Sequence, residues 1–309
     1  MSAVLFALPG AEALAARLAP AIGADQGAAE MRRFPDGEVY VRLDSEVARR
    51  PTVLAAAMER PDDKVLPLMM AAGAARELGA SRVLLVAPYL PYMRQDRRFK
   101  RGEGVTSTYF ARFLSAQVDA LVTVDPHLHR RTSLAEIYSI PTVVVHAAPV
   151  ISRWILEQVE RPVLVGPDEE SAQWVGAVAT AAEAPFTVLR KERRGDRDVA
   201  VSVPDVERWA GHTPVLVDDI VSTARTMVAT VGHLLRAGMR PPICVGVHAV
   251  FAGAGYEELI AAGAGRVVTC NTIAHASNAI DVTPLLANAI QTLSAAGPGV
   301  ASTTANPVP

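Results

Sequence analysis

Short apolar runs alternate with stretches whose apolar positions recur at helical spacing, from the first residues almost to the end of the chain. Continuous apolar runs suit strands buried on both faces of a parallel sheet. Such strands are read at Val4 to Leu8, Thr52 to Met58, Ser81 to Tyr89, Asp119 to Val124, 142–145, Pro162 to Val165, Phe186 to Leu189, Val199 to Val203, Pro214 to Val217, 243–250 and 266–270. Between them, helical periodicity predicts helices over Ala11 to Ile22, with Leu14, Leu18 and Ile22 on one face, and over Lys64 to Leu78, Thr108 to Gln117 and Pro149 to Val159. Further helices are read after residue 226, where Met227, Val231, Leu234 and Leu235 repeat, at 256–262, and from Pro284 to Leu293. One segment breaks the pattern: in MRRFPDGEVYVRL, Val39, Val41 and Leu43 alternate with polar residues around a Pro-Asp-Gly turn, which is a hairpin.

Strands alternating with helices in both halves predict an α/β fold with two similar domains, each a mainly parallel sheet flanked by helices. A chain of 309 residues also exceeds what one core usually supports. The domains are expected at 1–145 and 146–294, followed by a disordered tail over 295–309, which is small, polar and rich in Pro and Gly.

Charge and cysteine content narrow the function. A net charge of −2 argues against a nucleic-acid partner, because such proteins are usually basic overall, so any anion site must come from local clusters. Cys244 and Cys270 lie singly in apolar strand-like runs and fit no metal or redox spacing, so they read as core thiols. No basic leader and no long apolar run is present, which predicts a cytoplasmic protein with no membrane contact.

The chemistry concentrates after the strands. In TPVLVDDIVSTART a buried strand ends in Asp218 and Asp219, followed by Ser222, Thr223 and a helix. A helix N-terminus offers N–H groups to an anion, and ligands sit at the carboxyl ends of strands in open α/β sheets. Residues 222–226 therefore suit a phosphate, and the two carboxylates suit sugar hydroxyls or magnesium. The plain alternative is a solvated turn with Thr223 as N-cap. Arg94, Arg97, Arg98, Lys100 and Arg101 crowd the loop after another buried strand, where arginine forks match phosphate oxygens. His127 and His129, two apart, lie on one side of an extended segment. Phe34, Asp36 and Glu38 stand at the hairpin tip, and an aromatic beside two acids suits a nucleobase.

VLVDDIVSTART resembles the phosphoribosyl diphosphate (PRPP) binding loop of type I phosphoribosyltransferases and of the ribose-phosphate diphosphokinase family, also called PRPP synthetases. FPDGE, PYMRQDRR, TVDPHLH, GPD and KER are similar to that second family's signatures and run in the same order along the chain. The resemblance implies two phosphoribosyltransferase-like domains and transfer of the β,γ-diphosphoryl group of ATP to ribose 5-phosphate. It implies ATP binding by Arg94, Gln95 and Arg97, and by Phe34, Asp36 and Glu38 reaching across to a neighbouring subunit, so a homo-oligomer of at least two chains. Magnesium would be held by His127 and Asp168, while His129 has no counterpart. Asp218, Asp219, Ser222, Thr223, Ala224, Arg225 and Thr226 would bind ribose 5-phosphate, and Lys191 and Arg193 would be catalytic. The chain departs from the family at Ala224-Arg225, where two glycines are usual, at Ser222 for Asp, and at Glu169-Glu170 for Gly-Gly. Two alternatives stand beside this reading: a phosphoribosyltransferase, and a non-catalytic regulatory subunit of the synthetase type.

Overall fold

The computed structural model describes residues 2–166, 172–194, 198–202, 206–209, 211–295 and 303–305. In chain order the elements are β1 (Val4–Ala7), α1 (Glu12–Ile22), β2 (Asp25–Gln26), β3 (Ala29–Arg33), β4 (Val39–Leu43), β5 (Pro51–Ala55), α2 (Asp62–Glu77), β6 (Arg82–Val86), α3 (Thr106–Gln117), β7 (Ala120–Val124) and β8 (Thr142–Val145). There follow α4 (Ala148–Gln158), β9 (Pro162–Gly166), α5 (Ala172–Ala181), β10 (Phe186–Val188), β11 (Arg190–Arg194), β12 (Asp198–Ser202), β13 (Thr213–Val221), α6 (Arg225–Arg236), β14 (Ile243–Ala249), α7 (Gly255–Ala261), β15 (Arg266–Cys270), β16 (Asn278–Ile280), α8 (Thr283–Ala295) and β17 (Thr303–Ala305).

The chain divides into two compact units. One comprises Met1–His146, Thr272–Ala274 and Val282–Pro309, the other Ala147–Asn271 and His275–Asp281. The first holds a parallel sheet in the order β17-β8-β7-β6-β5-β1-β2. Its central strands are buried on both faces, Val83 to Val86 and Ala120 to Val124 being almost inaccessible, which is why they read as unbroken apolar runs. Helix α1 stops at Gly23, whose φ of +65° turns the chain so that the N–H groups of Gly23 and Ala24 return to the carbonyls of Pro20 and Ala19 at 3.2 and 2.9 Å. The second unit holds a parallel sheet in the order β10-β9-β13-β14-β15-β16, with Val215, Leu216, Val217, Val245 and Val247 buried at its centre.

Three boundaries differ from the pattern reading. Helix α8, expected to close the second domain, packs against α1, β7 and β8 of the first. Its apolar face, Leu286, Ala289, Ile290 and Leu293, is buried there, and nothing local marks which sheet such a face will cover. In the expected tail, residues 303–305 extend beside β8, and the rest of 296–309 lies outside the described residues. The charged run after Leu189 continues as strand β11, paired antiparallel with β12, so that residues 191 and 193 take alternate positions opposite Val201 and Val199.

Candidate active site

In the second unit the strand order reverses between β9 and β13, because β10 lies beyond β9 on one side and β14 to β16 follow β13 on the other. The carboxyl ends of two such strands open the crevice in which doubly wound sheets bind ligands. Asp218 and Asp219 stand at that end of β13. The strand runs on through them to Val221, four residues beyond the expected end, because β14 is long enough to pair with Asp218, Ile220 and Val221, whereas β9 pairs only as far as Leu216. Past that point β13 pairs, among the described residues, with β14 alone, and both acids are partly exposed. Each carboxylate accepts the next backbone N–H: Asp219 N–H to Asp218 Oδ1 at 2.9 Å and Ile220 N–H to Asp219 Oδ1 at 2.8 Å.

Ser222, Thr223 and Ala224 form the turn into α6, and Arg225 and Thr226 are its first residues, both exposed. The N-cap is Ala224, not Thr223, and it is left-handed with φ 55° and ψ 7°. Alanine has no oxygen with which to cap, so no side chain of the cap serves the first-turn N–H groups, the arrangement an anion exploits. Ala224 thus adopts a conformation that favours glycine, at a cost of roughly 1–2 kcal/mol for a residue with a Cβ.

Asp168 lies outside the described residues. Lys191 and Arg193 are placed by the backbone of β11 alone.

In the first unit, β3 and β4 pair as the expected hairpin, closed by Gly37 N–H to Phe34 O at 2.9 Å and Phe34 N–H to Glu38 O at 2.8 Å. Asp36 Oδ1 accepts the Glu38 N–H at 3.1 Å, a turn-stabilising bond that leaves the acidic tip exposed. Phe34 is 39% exposed, and the Arg32 guanidinium lies 4.7 Å from its ring and 4.4 Å from that of Tyr40.

The loop after β6 carries the basic cluster. Arg94 and Arg97 are exposed, with the Arg97 guanidinium 5.0 Å from the Phe99 ring, while Gln95 is tied down through Thr106 Oγ1 donating to its Oε1 at 2.9 Å. After β7, Asp125 is buried with φ 32°, and His127 and His129 stack with ring centroids 3.9 Å apart.

In each unit several residues near these positions carry no sequence signal. His146, at the end of β8, lies 2.8 Å through Nδ1 from Asp125 Oδ1, and this hydrogen bond raises its pKa above the ordinary imidazole value against the opposing effect of burial. Arg130 pairs with the buried Asp96 carboxylate at 3.2 Å, and Arg131 donates to Ser107 Oγ at 3.0 Å, so the basic loop is clasped from the segment after β7. Phe251, Tyr256 and His275 form an aromatic cluster in the second unit. A pairing of distant positions leaves no spacing to find, and the left-handed Asp125 in TVDPHLH runs against the extended backbone that the proline after it favours.

Residues 133–286 match the phosphoribosyl transferase domain, and residues 3–117 match the N-terminal domain of ribose phosphate pyrophosphokinase. A ribose-phosphate pyrophosphokinase of Methanopyrus kandleri is 32% identical over 91% of this chain and 96% of its own. One from Methanosarcina acetivorans is 30% identical over 92% of this chain and 98% of its own. In fold, the chain is similar to the crystal structure of phosphoribosylpyrophosphate synthetase from Mycobacterium smegmatis, with a TM-score of 0.83 at 24% identity, covering 96% of this chain and all of that one. Two phosphoribosyltransferase-like domains, the expected architecture, are thus present.

Proposed function

The chain belongs to the ribose phosphate pyrophosphokinase family, and from that premise we propose that it transfers the β,γ-diphosphoryl group of ATP to the anomeric hydroxyl of ribose 5-phosphate, giving PRPP and AMP. The observation that carries this reading is the union of Asp218, Asp219 and the uncapped start of α6 at the carboxyl edge where the strand order reverses. The acids accept hydrogen bonds from the ribose hydroxyls, and residues 222–226 hold the 5-phosphate on backbone N–H groups, with Arg225 adding a charged donor. Arg94, Gln95 and Arg97 bind ATP, and Phe34, Asp36 and Glu38 serve the nucleobase bound by a neighbouring copy, which requires at least a dimer. Lys191 and Arg193 stabilise charge on the transferring diphosphoryl group.

Carboxylate oxygens, joined by phosphate oxygens of the substrate, are the donors magnesium prefers, and the acidic end of β13 fits that demand. His127 and Asp168 are the residues assigned to hold magnesium, whose contribution when bound is to screen the phosphates from the attacking oxygen. Among the described residues no helix is long and apolar enough to cross a membrane. The substrates are metabolites of the cell interior, which supports a cytoplasmic enzyme of nucleotide biosynthesis.

AMP release from ATP, magnesium and ribose 5-phosphate, with PRPP identified by mass, is the direct test. Formation of a nucleoside monophosphate and diphosphate only when PRPP and a free base are supplied would identify a phosphoribosyltransferase. No turnover in either assay would identify a non-catalytic subunit.

A further inference from the structure

The turn that follows β14 touches the phosphate loop at three points. Phe251 N–H donates to Val221 O at 2.8 Å and Ala252 N–H to Ser222 O at 3.2 Å. Gly255, the first residue of α7, leaves no room for a side chain: a Cβ there would stand 2.6 Å from Ser222 O and 3.3 Å from the Thr223 carbonyl carbon. The turn itself is held by rings. Phe251 has φ 36°, a region that side chains with a Cβ avoid, and its ring packs 5.3 Å from Tyr256 and 4.5 Å from His275, which are 4.9 Å from each other. His275 is anchored in turn, its Nδ1 accepting the Ser277 N–H at 3.1 Å while Ser277 Oγ lies 2.7 Å from the fully buried Thr269 Oγ1.

This is an unusual amount of constraint behind three loop residues. Two non-glycine positions are left-handed, Ala224 on the loop and Phe251 on the turn that is bonded to the loop through the Val221 and Ser222 carbonyls. Strain of this kind persists only where surrounding contacts over-determine it. The loop has no glycine to let it adapt around a phosphate, so its shape before binding must already be the binding shape.

We propose that Gly255 and the Phe251–Tyr256–His275 cluster are positioning elements that hold residues 222–224 in the form that receives the 5-phosphate of ribose 5-phosphate. Phe251 and Gly255 meet the loop backbone, and Tyr256 and His275 act on it through the Phe251 ring. The proposal rests on the reading of residues 222–226 as the sugar-phosphate loop. Relaxing the brace therefore raises the KM for ribose 5-phosphate, while the KM for ATP, whose assigned residues lie elsewhere, stays as in the wild type.

The test compares wild type, Gly255→Ala, Phe251→Leu and Gly253→Ala. Gly253→Ala is the control: it lies in the same turn, also at positive φ (66°), but its added methyl meets nothing within 4 Å. Displacement of the loop by the Gly255→Ala methyl is expected to raise the KM for ribose 5-phosphate roughly tenfold or more. Phe251→Leu keeps bulk but loses the ring contacts, and moves the same constant in the same direction. The Gly253→Ala constants stay within about twofold of wild type. Calorimetric titration with ribose 5-phosphate in the absence of ATP reads the same loss without turnover. Should Gly255→Ala fail to fold, Phe251→Leu carries the comparison. Unchanged ribose 5-phosphate affinity in the folded variants, or an equal rise in both KM values, overturns the proposal. A wild type that binds ribose 5-phosphate but releases no AMP leaves the brace standing and sinks the diphosphokinase reading instead.

Discussion

His146 Nδ1 and Asp125 Oδ1 lie 2.8 Å apart, joining the end of β8 to the residue that directly follows β7. Asp125 is left-handed, buried, and bonded through its own N–H to Val145 O at 2.9 Å, so two contacts fix the direction in which residues 126–129 leave the sheet. The bond to Asp125 holds the His146 pKa above its ordinary value of 6.5. A group whose pKa is raised on folding adds stability that is fully present below the unfolded value and disappears as pH rises through the folded value. His146→Ala should therefore lower Tm more near about pH 5.5 than near about pH 8.5. A difference in Tm that does not vary with pH would reject the linkage.

Ala224 sets two opposed effects against each other. Replacing it by glycine relieves roughly 1–2 kcal/mol of left-handed strain. The same change costs roughly 0.5–1 kcal/mol in unfolded-chain entropy and about 0.8 kcal/mol for the lost buried methyl. The terms nearly cancel, so the Tm of Ala224→Gly should stay within about 4 °C of wild type. Ala224→Val, β-branched in a region it scarcely tolerates, should fall by more than that. Calorimetric melts of both variants check the balance. Arg225→Gly removes the charged donor and should raise the KM for ribose 5-phosphate by about tenfold, measured by AMP release.

The two strand-end acids are assigned to sugar binding. Asp218→Asn combined with Asp219→Asn should depress kcat/KM for ribose 5-phosphate while leaving nucleotide affinity, read by calorimetry with ATP, close to wild type. Equal loss of both affinities would place the acids elsewhere in the chemistry.

Lys191 is assigned to charge that develops as the diphosphoryl group moves, so its removal should lower kcat and leave KM nearly alone. A cation worth about 3–4 kcal/mol in the transition state corresponds to a rate loss of roughly 10² to 10³ for Lys191→Ala. Arg193→Ala, two positions along β11, should act in the same direction, and Arg190→Ala and Arg194→Ala should matter much less. A flat series across the four variants marks the ribbon as a solvated hairpin without a catalytic cation.

The hairpin tip makes a prediction about assembly. If Phe34 serves a neighbour's nucleotide, chains carrying Phe34→Ala and chains carrying Lys191→Ala should recover activity when mixed, because some shared sites are then wholly wild type. Full activity of an isolated monomer, established by sedimentation at assay concentration, would contradict the shared site.

Much of this protein is legible in its residue order. Val83 to Val86 and Ala120 to Val124 announce doubly buried strands because burial on both faces demands apolar side chains at every position. The Pro-Asp-Gly turn declares its hairpin because three residues suffice to reverse the chain, and Asp218-Asp219 before a helical repeat places acids and a helix start side by side. What tertiary structure alone decides are relations between segments far apart in sequence. Helix α8 carries an apolar face whose period says that it is buried but not against which sheet. The extent of β13 depends on the length of its partner β14, and the left-handed turns of Ala224 and Phe251 depend on contacts that overcome their own preference. The same holds for His146 against Asp125 and for Gly255 beneath Ser222: local periodicity records how much water a residue meets, whereas the identity of its distant neighbour is settled only when the sheet closes.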